Sequence, residues 1–126
     1  MLYLRNCRGE KIIRGPGGIL GEGVTVQDLT DCDVYLLDRS QEVLLEKCCD
    51  SDFVIGPCQH LTIRGAENCV ISAVCYQFEA IDCNGCEFQL FSSSAPLIKR
   101  CNRVTFSCWN TAYPQLDVQF QAAGLD

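Results

Sequence analysis

The segment VTVQDLTDCDVYL, residues 24–36, is the first of five similar segments that follow one another along the chain. The other four are VLLEKCCDSDFVI (43–55), LTIRGAENCVISA (61–73), FEAIDCNGCEFQL (78–90) and PLIKRCNRVTFSC (96–108). Their first residues lie 19, 18, 17 and 18 positions apart. A nearly constant period of this length indicates a repeat architecture.

Within each segment, apolar residues alternate with polar or mixed ones, as they do in short strands. No apolar period of 3.6 residues runs along the chain, so a helical repeat is not favoured. The first column holds Val24, Val43, Leu61, Phe78 and Pro96; the third holds Val26, Leu45, Ile63, Ala80 and Ile98; the last holds Leu36, Ile55, Ala73, Leu90 and Cys108. A polar or mixed column holds Gln27, Glu46, Arg64, Ile81 and Lys99.

The repeat also accounts for many of the 11 cysteines, because they fall into two columns of small side chains between the two strands of each segment. One column is Leu29, Cys48, Ala66, Cys83 and Cys101, and the other is Cys32, Ser51, Cys69, Cys86 and Val104. We interpret these thiols as free, buried core residues at a tight corner. A zinc site at Cys69, Cys83 and Cys86 is the alternative, which a single histidine, His60, makes less favoured.

Short strands, a tight corner and a return after about 18 residues describe one coil of a parallel β-helix. We therefore predict one all-β domain over residues 1–126, a parallel β-helix of about five to six coils with capping ends. Residues 1–22 are expected to form an N-terminal cap and loop, residues 23–110 the coils, and residues 111–126 a C-terminal cap. A short amphipathic helix is expected in that cap.

Composition excludes several classes of function. The net charge of −6 disfavours a nucleic-acid partner, because proteins that bind phosphate backbones usually carry a basic stripe. No apolar run approaches the roughly 20 residues of a membrane helix, and the N-terminus lacks the pattern of a signal peptide. We expect a cytoplasmic protein without direct membrane insertion, metal or cofactor.

The stretch VCYQFEAIDC, residues 74–83, combines a thiol, a phenol, an amide and a carboxylate. A cysteine nucleophile at Cys75 would need a nearby base, and nothing in the sequence pairs it with His60. The acidic residues near Asp31 and Asp50 lack the glycine-rich loop of a calcium site, so a solvated sheet face is favoured for them.

The strings RGPGGILGEGVTVQDLTDCDVYLLDRS, VIGPCQHLTIRG, AVCYQFEAIDC and YPQLDVQFQAAGL cover most of the chain in order. With them the chain resembles the C-CAP/cofactor C-like domain family of tubulin-binding cofactor C. The likeness is greatest to the retinitis pigmentosa member, which activates GTP hydrolysis on an Arl-family small GTPase. The resemblance implies a right-handed parallel β-helix.

Family members that activate GTP hydrolysis carry the motif Cys-Gln-Gln-Phe/Leu-Arg, whose arginine acts as a finger in the GTPase site. A cation supplied in this way is worth about 10³–10⁵ in rate. In this sequence Cys75, Gln77 and Phe78 match the motif, Tyr76 replaces its first glutamine, and Glu79 stands in place of the arginine. The resemblance therefore implies no catalytic residue here, because the charge at the finger position is reversed.

The expected function is a non-catalytic protein-binding or scaffold domain whose partner-binding residues are Arg64, Tyr76, Gln77 and Glu79. The alternative is a GTPase-activating protein that uses a displaced arginine such as Arg64, although a surface Arg64–Glu79 pair is the simpler expectation. The family implies an Arl-family small GTPase, or tubulin or another cytoskeletal protein, as partner. It also implies a location at the cytoskeleton, basal body or centrosome, cilium or flagellum.

Overall fold

A computed structural model of the chain describes residues 2–15, 23–92 and 94–108, and all regular structure in these ranges is β-strand. The ten strands are β1 (Leu2–Arg5), β2 (Lys11–Arg14), β3 (Val24–Gln27), β4 (Asp33–Leu36), β5 (Ser40–Glu46), β6 (Asp52–Arg64), β7 (Val70–Ile81), β8 (Glu87–Ser92), β9 (Leu97–Lys99) and β10 (Thr105–Cys108). The described residues contain no helix long and apolar enough to span a bilayer.

All described strand pairs are parallel, and the coils stack in register except for an irregularity in β6 between Ile55 and Cys58. One sheet runs β1-β3-β5-β6-β7-β9, and the other runs β2-β4-β6-β7-β8-β10. The long strands β6 and β7 pass through a corner and so belong to both sheets. The predicted parallel β-helix is confirmed, with six layers of strand and therefore about five full turns.

The register also confirms the columns that the repeat predicted. Val24 pairs with Val43, Val43 with Leu61, and Leu61 with Phe78. On the opposite sheet, Leu36 pairs with Ile55, and Ile55 with Ala73. These side chains point into the solenoid and are buried. Phe78 meets Phe88 edge-on across the interior, with ring centroids 5.1 Å apart.

A coil also lies within the segment that the sequence assigned to an N-terminal cap and loop. Strands β1 and β2 pair with β3 and β4, and Leu2 stands opposite Val24, 22 positions later. The longer spacing around the glycine-rich segment hides this layer from a search at a period near 18. The expected amphipathic helix and the C-terminal cap at 111–126 lie outside the described residues.

Each coil turns its first corner through two residues in the left-handed backbone region, three positions apart. The pairs are Asn6/Gly9, Asp28/Asp31, Lys47/Asp50, Gly65/Asn68, Asp82/Gly85 and Arg100/Arg103. Glycine, asparagine and aspartate tolerate this conformation best, and they occupy most of these left-handed positions. The amides of these residues continue the ladder between coils, as when Asp28 N–H donates to Glu46 O at 3.1 Å.

The ten cysteines whose side chains the structure describes are free thiols. At the corners, their S–H groups donate to carbonyls two residues earlier, for example Cys69 to Glu67 O at 3.3 Å and Cys101 to Lys99 O at 3.3 Å. Ser51 makes the same bond to Cys49 O at 2.8 Å, so a hydroxyl replaces the thiol in this role. Burial raises the pKa of the Cys48 thiol to about 11. These thiols are therefore packing and hydrogen-bonding groups.

Replacing Phe78 by alanine should destabilise the domain by about 3–5 kcal/mol, because the ring is buried against Phe88 and a cavity would remain. Chemical denaturation of wild type and variant measures the difference. Tyr76→Ala is the matched control, since that ring is 46% exposed and its loss should cost less than about 0.5 kcal/mol. Equal costs for the two substitutions would contradict the inward placement of Phe78.

Gly65→Ala should destabilise the domain by about 1 kcal/mol, because φ is +66° and a left-handed alanine is strained. A Cβ at this position meets nothing closer than 3.9 Å, so the cost is conformational and not steric. Gly65→Asn should recover most of the loss, because asparagine tolerates this region. Thermal unfolding of the three proteins tests the ranking, which an asparagine variant no better than alanine would refute.

Candidate functional site

The stretch that matches the family motif lies where β7 passes from one sheet to the other. Cys75 ends the part that pairs with β8, and Phe78 begins the packed part that pairs with β6 and β9. Tyr76 and Gln77 lie between them, and both are exposed. Two consecutive outward side chains break the strand alternation, which marks this point as a corner of the solenoid.

The corner is held by hydrogen bonds to the carbonyl oxygen of Tyr76. Ser94 donates to it from its backbone N–H at 3.1 Å and from its hydroxyl at 2.9 Å, and the Ser92 hydroxyl lies at 3.4 Å. Ser92 and Ser94 therefore tie the next coil to the motif. Because these hydrogen bonds fix the backbone at Tyr76, the Tyr76 and Gln77 side chains lie at a defined place on the surface.

Cys75 is fully buried and points inward, in a column with Ser40, Cys58 and Ser92. Contact with the Cys75 thiol, together with burial, raises the pKa of the Cys58 thiol well above its ordinary value. His60 lies on the exposed outer face, opposite Gln77 in the register. A thiol on the inside and an imidazole on the outside cannot form a nucleophile–base pair, so the motif is not a cysteine hydrolase site.

Glu79 points outward from β7, with Thr62 of the preceding coil on one side and Leu97 of the following coil on the other. Its side chain is 34% exposed, and its Oε1 lies 3.9 Å from Nζ of Lys99. Lys99 itself is 60% exposed. A surface pair of this length contributes between about 0 and 1 kcal/mol, so it positions charge more than it stabilises the fold.

The sequence pointed to a surface Arg64–Glu79 pair, and this expectation is wrong. Arg64 and Lys99 both pair in register with Ile81, two residues beyond Glu79, from the preceding and the following coil. No Arg64–Glu79 ion pair within 4.0 Å occurs among the described residues, whereas Lys99 makes one. Because the register offset from Glu79 is the same for both cations, the directions of their side chains decide which of them meets the carboxylate.

The surface around Glu79 is shallow. A cleft of about 40 Å³ is lined by His60, Leu61, Thr62, Gln77, Phe78, Glu79 and Leu97. This volume is close to that of a single water molecule, so the cleft has no room for a small organic substrate. Among the described residues, no three His, Cys, Asp or Glu side chains converge on a point where they could hold a metal ion.

An open groove of about 300 Å³ continues from this cleft towards the N-terminal coils on the same outer face. Its lining includes Thr25, Glu42, Leu44, His60, Thr62 and Arg64. Arg64, Gln77 and Glu79 therefore share one outer face, with Tyr76 at its corner. The arrangement is a shallow, mixed-charge surface that suits contact with another macromolecule better than chemistry on a small molecule.

Leu97 and Lys99 are the site residues that the sequence did not select. Leu97 is 58% exposed beside Glu79 and adds an apolar side chain to this surface. The aligned repeats already placed both residues near Glu79. Leu97 occupies the same column as Glu79 in the next coil, and Lys99 occupies the same column as Ile81. Only the stacking distance showed that the Lys99 side chain reaches back to the carboxylate.

Residues 21–126 match the sequence profile of the family described as "Tubulin binding cofactor C". TBCC domain-containing protein 1 of Bos taurus is 30% identical over 127 residues, which cover 99% of this chain and 23% of the relative. The Rattus norvegicus protein of the same name is 34% identical over 109 residues, 85% of this chain and 19% of the relative. Protein XRP2 of Homo sapiens is 30% identical over 121 residues, 94% of this chain and 34% of the relative.

The chain thus spans no more than about a third of the length of these relatives. The profile covers more than half of the chain, and the motif falls on the outer corner of a confirmed parallel β-helix. The chain belongs to the tubulin binding cofactor C family.

Proposed function

We propose that this chain is a non-catalytic protein-binding or scaffold domain of the tubulin cofactor C type, in which Glu79 has replaced the arginine finger. Arg64, Tyr76, Gln77 and Glu79 are the proposed contact residues. The proposed partner is an Arl-family small GTPase, or tubulin or another cytoskeletal protein. The proposed location is cytoplasmic, at the cytoskeleton, the basal body or centrosome, or a cilium or flagellum.

The observation that carries the proposal is the outward, partly exposed carboxylate of Glu79 at the position that the family motif gives to arginine. The neighbouring residues keep the form of a contact surface, since Tyr76 is 46% and Leu97 58% exposed. Exposed aromatic and apolar side chains beside a few charges are typical of protein interfaces. The surface therefore supports binding even though the cation for catalysis is missing at its centre.

Electrostatics argues against catalysis by Glu79. Two like unit charges 4 Å apart repel each other by about 4 kcal/mol at an effective dielectric constant of 20. A carboxylate inserted beside a γ-phosphate would oppose the charge that develops there during hydrolysis, which an arginine stabilises. A partner that brings a bound nucleotide to this corner would gain contact area but no acceleration.

One observation favours a second candidate, a GTPase-activating protein that uses a displaced cation. The Nζ atom of Lys99 lies 3.9 Å from Glu79, so a cation is present beside the finger position after all. Arg64, the candidate from the sequence, has no such proximity to Glu79. We rank the non-catalytic proposal first because the position that the family motif gives to arginine itself holds a carboxylate, and Lys99 lies on the next coil.

The two candidates separate in single-turnover hydrolysis with GTP-loaded Arl-family GTPases. The wild-type domain should bind without stimulating hydrolysis, because Glu79 supplies no cation. The variant Glu79→Arg places a cation on β7 at the position that the family motif gives to arginine and removes the carboxylate that pairs with Lys99. It should restore stimulation of about 10³-fold or more if the partner is a GTPase of this class.

Stimulation by the wild-type domain that is lost in Lys99→Ala would overturn the non-catalytic proposal and establish the second candidate. Glu79→Gln is the matched control, because it removes the negative charge without adding a cation. It should stay inactive. An absence of binding to every Arl-family GTPase tested would refute that partner class and leave cytoskeletal proteins such as tubulin to be tested in the same way.

Binding itself should depend on the corner side chains. Tyr76→Ala should weaken the complex with whichever partner binds by about tenfold or more, since exposed aromatics are frequent hot spots. Titration calorimetry measures the change. Glu67→Ala, at a different and also exposed corner, is the control and should leave the affinity within twofold. Equal losses in the two variants would show that the motif corner is not the contact surface.

A further inference from the structure

Charge is segregated along the axis of the solenoid. The first layer, residues 2–15, carries the cations Arg5, Arg8, Lys11 and Arg14 and one carboxylate, Glu10. Residues 23–92 carry 12 aspartates and glutamates against only Arg39, Lys47 and Arg64. A chain with a net charge of −6 thus has one strongly basic end in its first coil.

The first-layer cations make no ion pair with any carboxylate that the structure describes. The guanidinium of Arg5 lies over the Tyr3 ring at 4.8 Å, and the Lys11 ammonium lies over the Tyr35 ring at 5.6 Å. Arg14 Nη1 donates to Ile13 O at 3.1 Å. The last layer differs, because Lys99 and Arg100 are paired with Glu79 and Asp82. Of the two end layers that the structure describes, the first is the one whose cations are not paired with described carboxylates.

The same layer has an open strand edge. Among the described strands, β1 pairs only with β3, and β2 only with β4. Leu2 N–H donates to Gly23 O at 3.0 Å and Asn6 N–H to Gln27 O at 3.1 Å. Because strand groups alternate in direction, the N–H groups of Tyr3 and Arg5 point to the open side. These N–H groups can donate to the carbonyl oxygens of an added strand.

An open groove of about 560 Å³ lies at this end. Its lining is apolar at Leu4, Ile12 and Ile13 and basic at Lys11 and Arg14, with Cys7 and Glu10 also contributing. Tyr3 and Ile13 are each 53% exposed. An extended segment can therefore find apolar contact, free backbone groups and positive charge together on this layer.

A second copy of the chain is a poor occupant. In head-to-tail stacking, the last layer would continue the columns of the first and place Lys99 against Arg5, since both belong to the column that includes Gln27 and Glu46. In head-to-head stacking, four cations would face four cations. Both arrangements are opposed by like charges. An acidic segment meets no such opposition.

We propose that the first coil is a docking edge for an acidic, extended segment of a partner protein, which adds to β1 as a further parallel strand. Its inward apolar side chains would stack on Leu2 and Leu4, and its outward carboxylates would lie beside Arg5. The edge is four strands from β7, about 19 Å from Glu79, and so is separate from the motif corner. Long polyanions such as DNA fit less well, because the carboxylate-rich layers that follow would repel them.

The test is fluorescence anisotropy with a labelled eight-residue peptide of alternating valine and glutamate, titrated with the chain at pH 7. We expect saturable binding with a Kd below about 1 mM, and none for the same peptide with lysine in place of glutamate. Arg5→Glu should weaken binding about tenfold by reversing the nearest charge. Lys47→Glu makes the same exchange at an exposed cation in a middle layer and should change the Kd less than twofold.

A peptide N-methylated at alternate residues distinguishes strand addition from plain charge attraction without altering the protein. The methyl groups remove amide donors and block one edge of the strand, so binding should fall about tenfold or more. Two results would overturn the proposal. One is an N-methylated peptide or a DNA duplex that binds as tightly as the unmodified peptide, and the other is no saturable binding of the glutamate peptide.

Discussion

The structure depends on the register between successive coils. Each strand pairs in parallel with the equivalent strand of the next coil, and the left-handed residues at each first corner continue the ladder from one sheet to the other. Because the side-chain period of a strand is two, a slip of one residue would turn the whole buried set outward. The corners prevent such a slip by fixing where each strand begins and ends.

The narrow interior imposes the chemistry of the corner side chains. Residues there must be small and must also satisfy carbonyls close to the turn, and a cysteine does both through its weak S–H donor. The Ser51 hydroxyl makes the same bond as the thiols of Cys69 and Cys101. The high cysteine content thus follows from packing and backbone satisfaction, and it implies neither a disulfide framework nor redox chemistry.

The narrow interior also divides the residues of the motif into an inward group and an outward group. Cys75 and Phe78 are fixed by the interior columns, whereas Tyr76, Gln77 and Glu79 point outward and are free of that requirement. The outer positions can therefore vary while the coil is preserved, and a carboxylate at residue 79 is compatible with the fold. The charge balance at the corner is completed by Lys99 from the next coil, which keeps the surface locally neutral.

The sequence by itself determined the coil, because a repeat near 18 residues with strand alternation leaves little choice of architecture. It also determined which side chains of each repeat face inward and that the finger position carries an acid. It did not identify the first layer, since the 22-residue spacing from Leu2 to Val24 departs from the period, nor the partner of Glu79. Those features depend on distances between coils, about 4.8 Å per layer, and on the reach of single side chains. Sequence periodicity fixes which residues are neighbours in a column, but only the stacked structure decides that Lys99 reaches Glu79 and that the cations of the first coil form no ion pair with a described carboxylate.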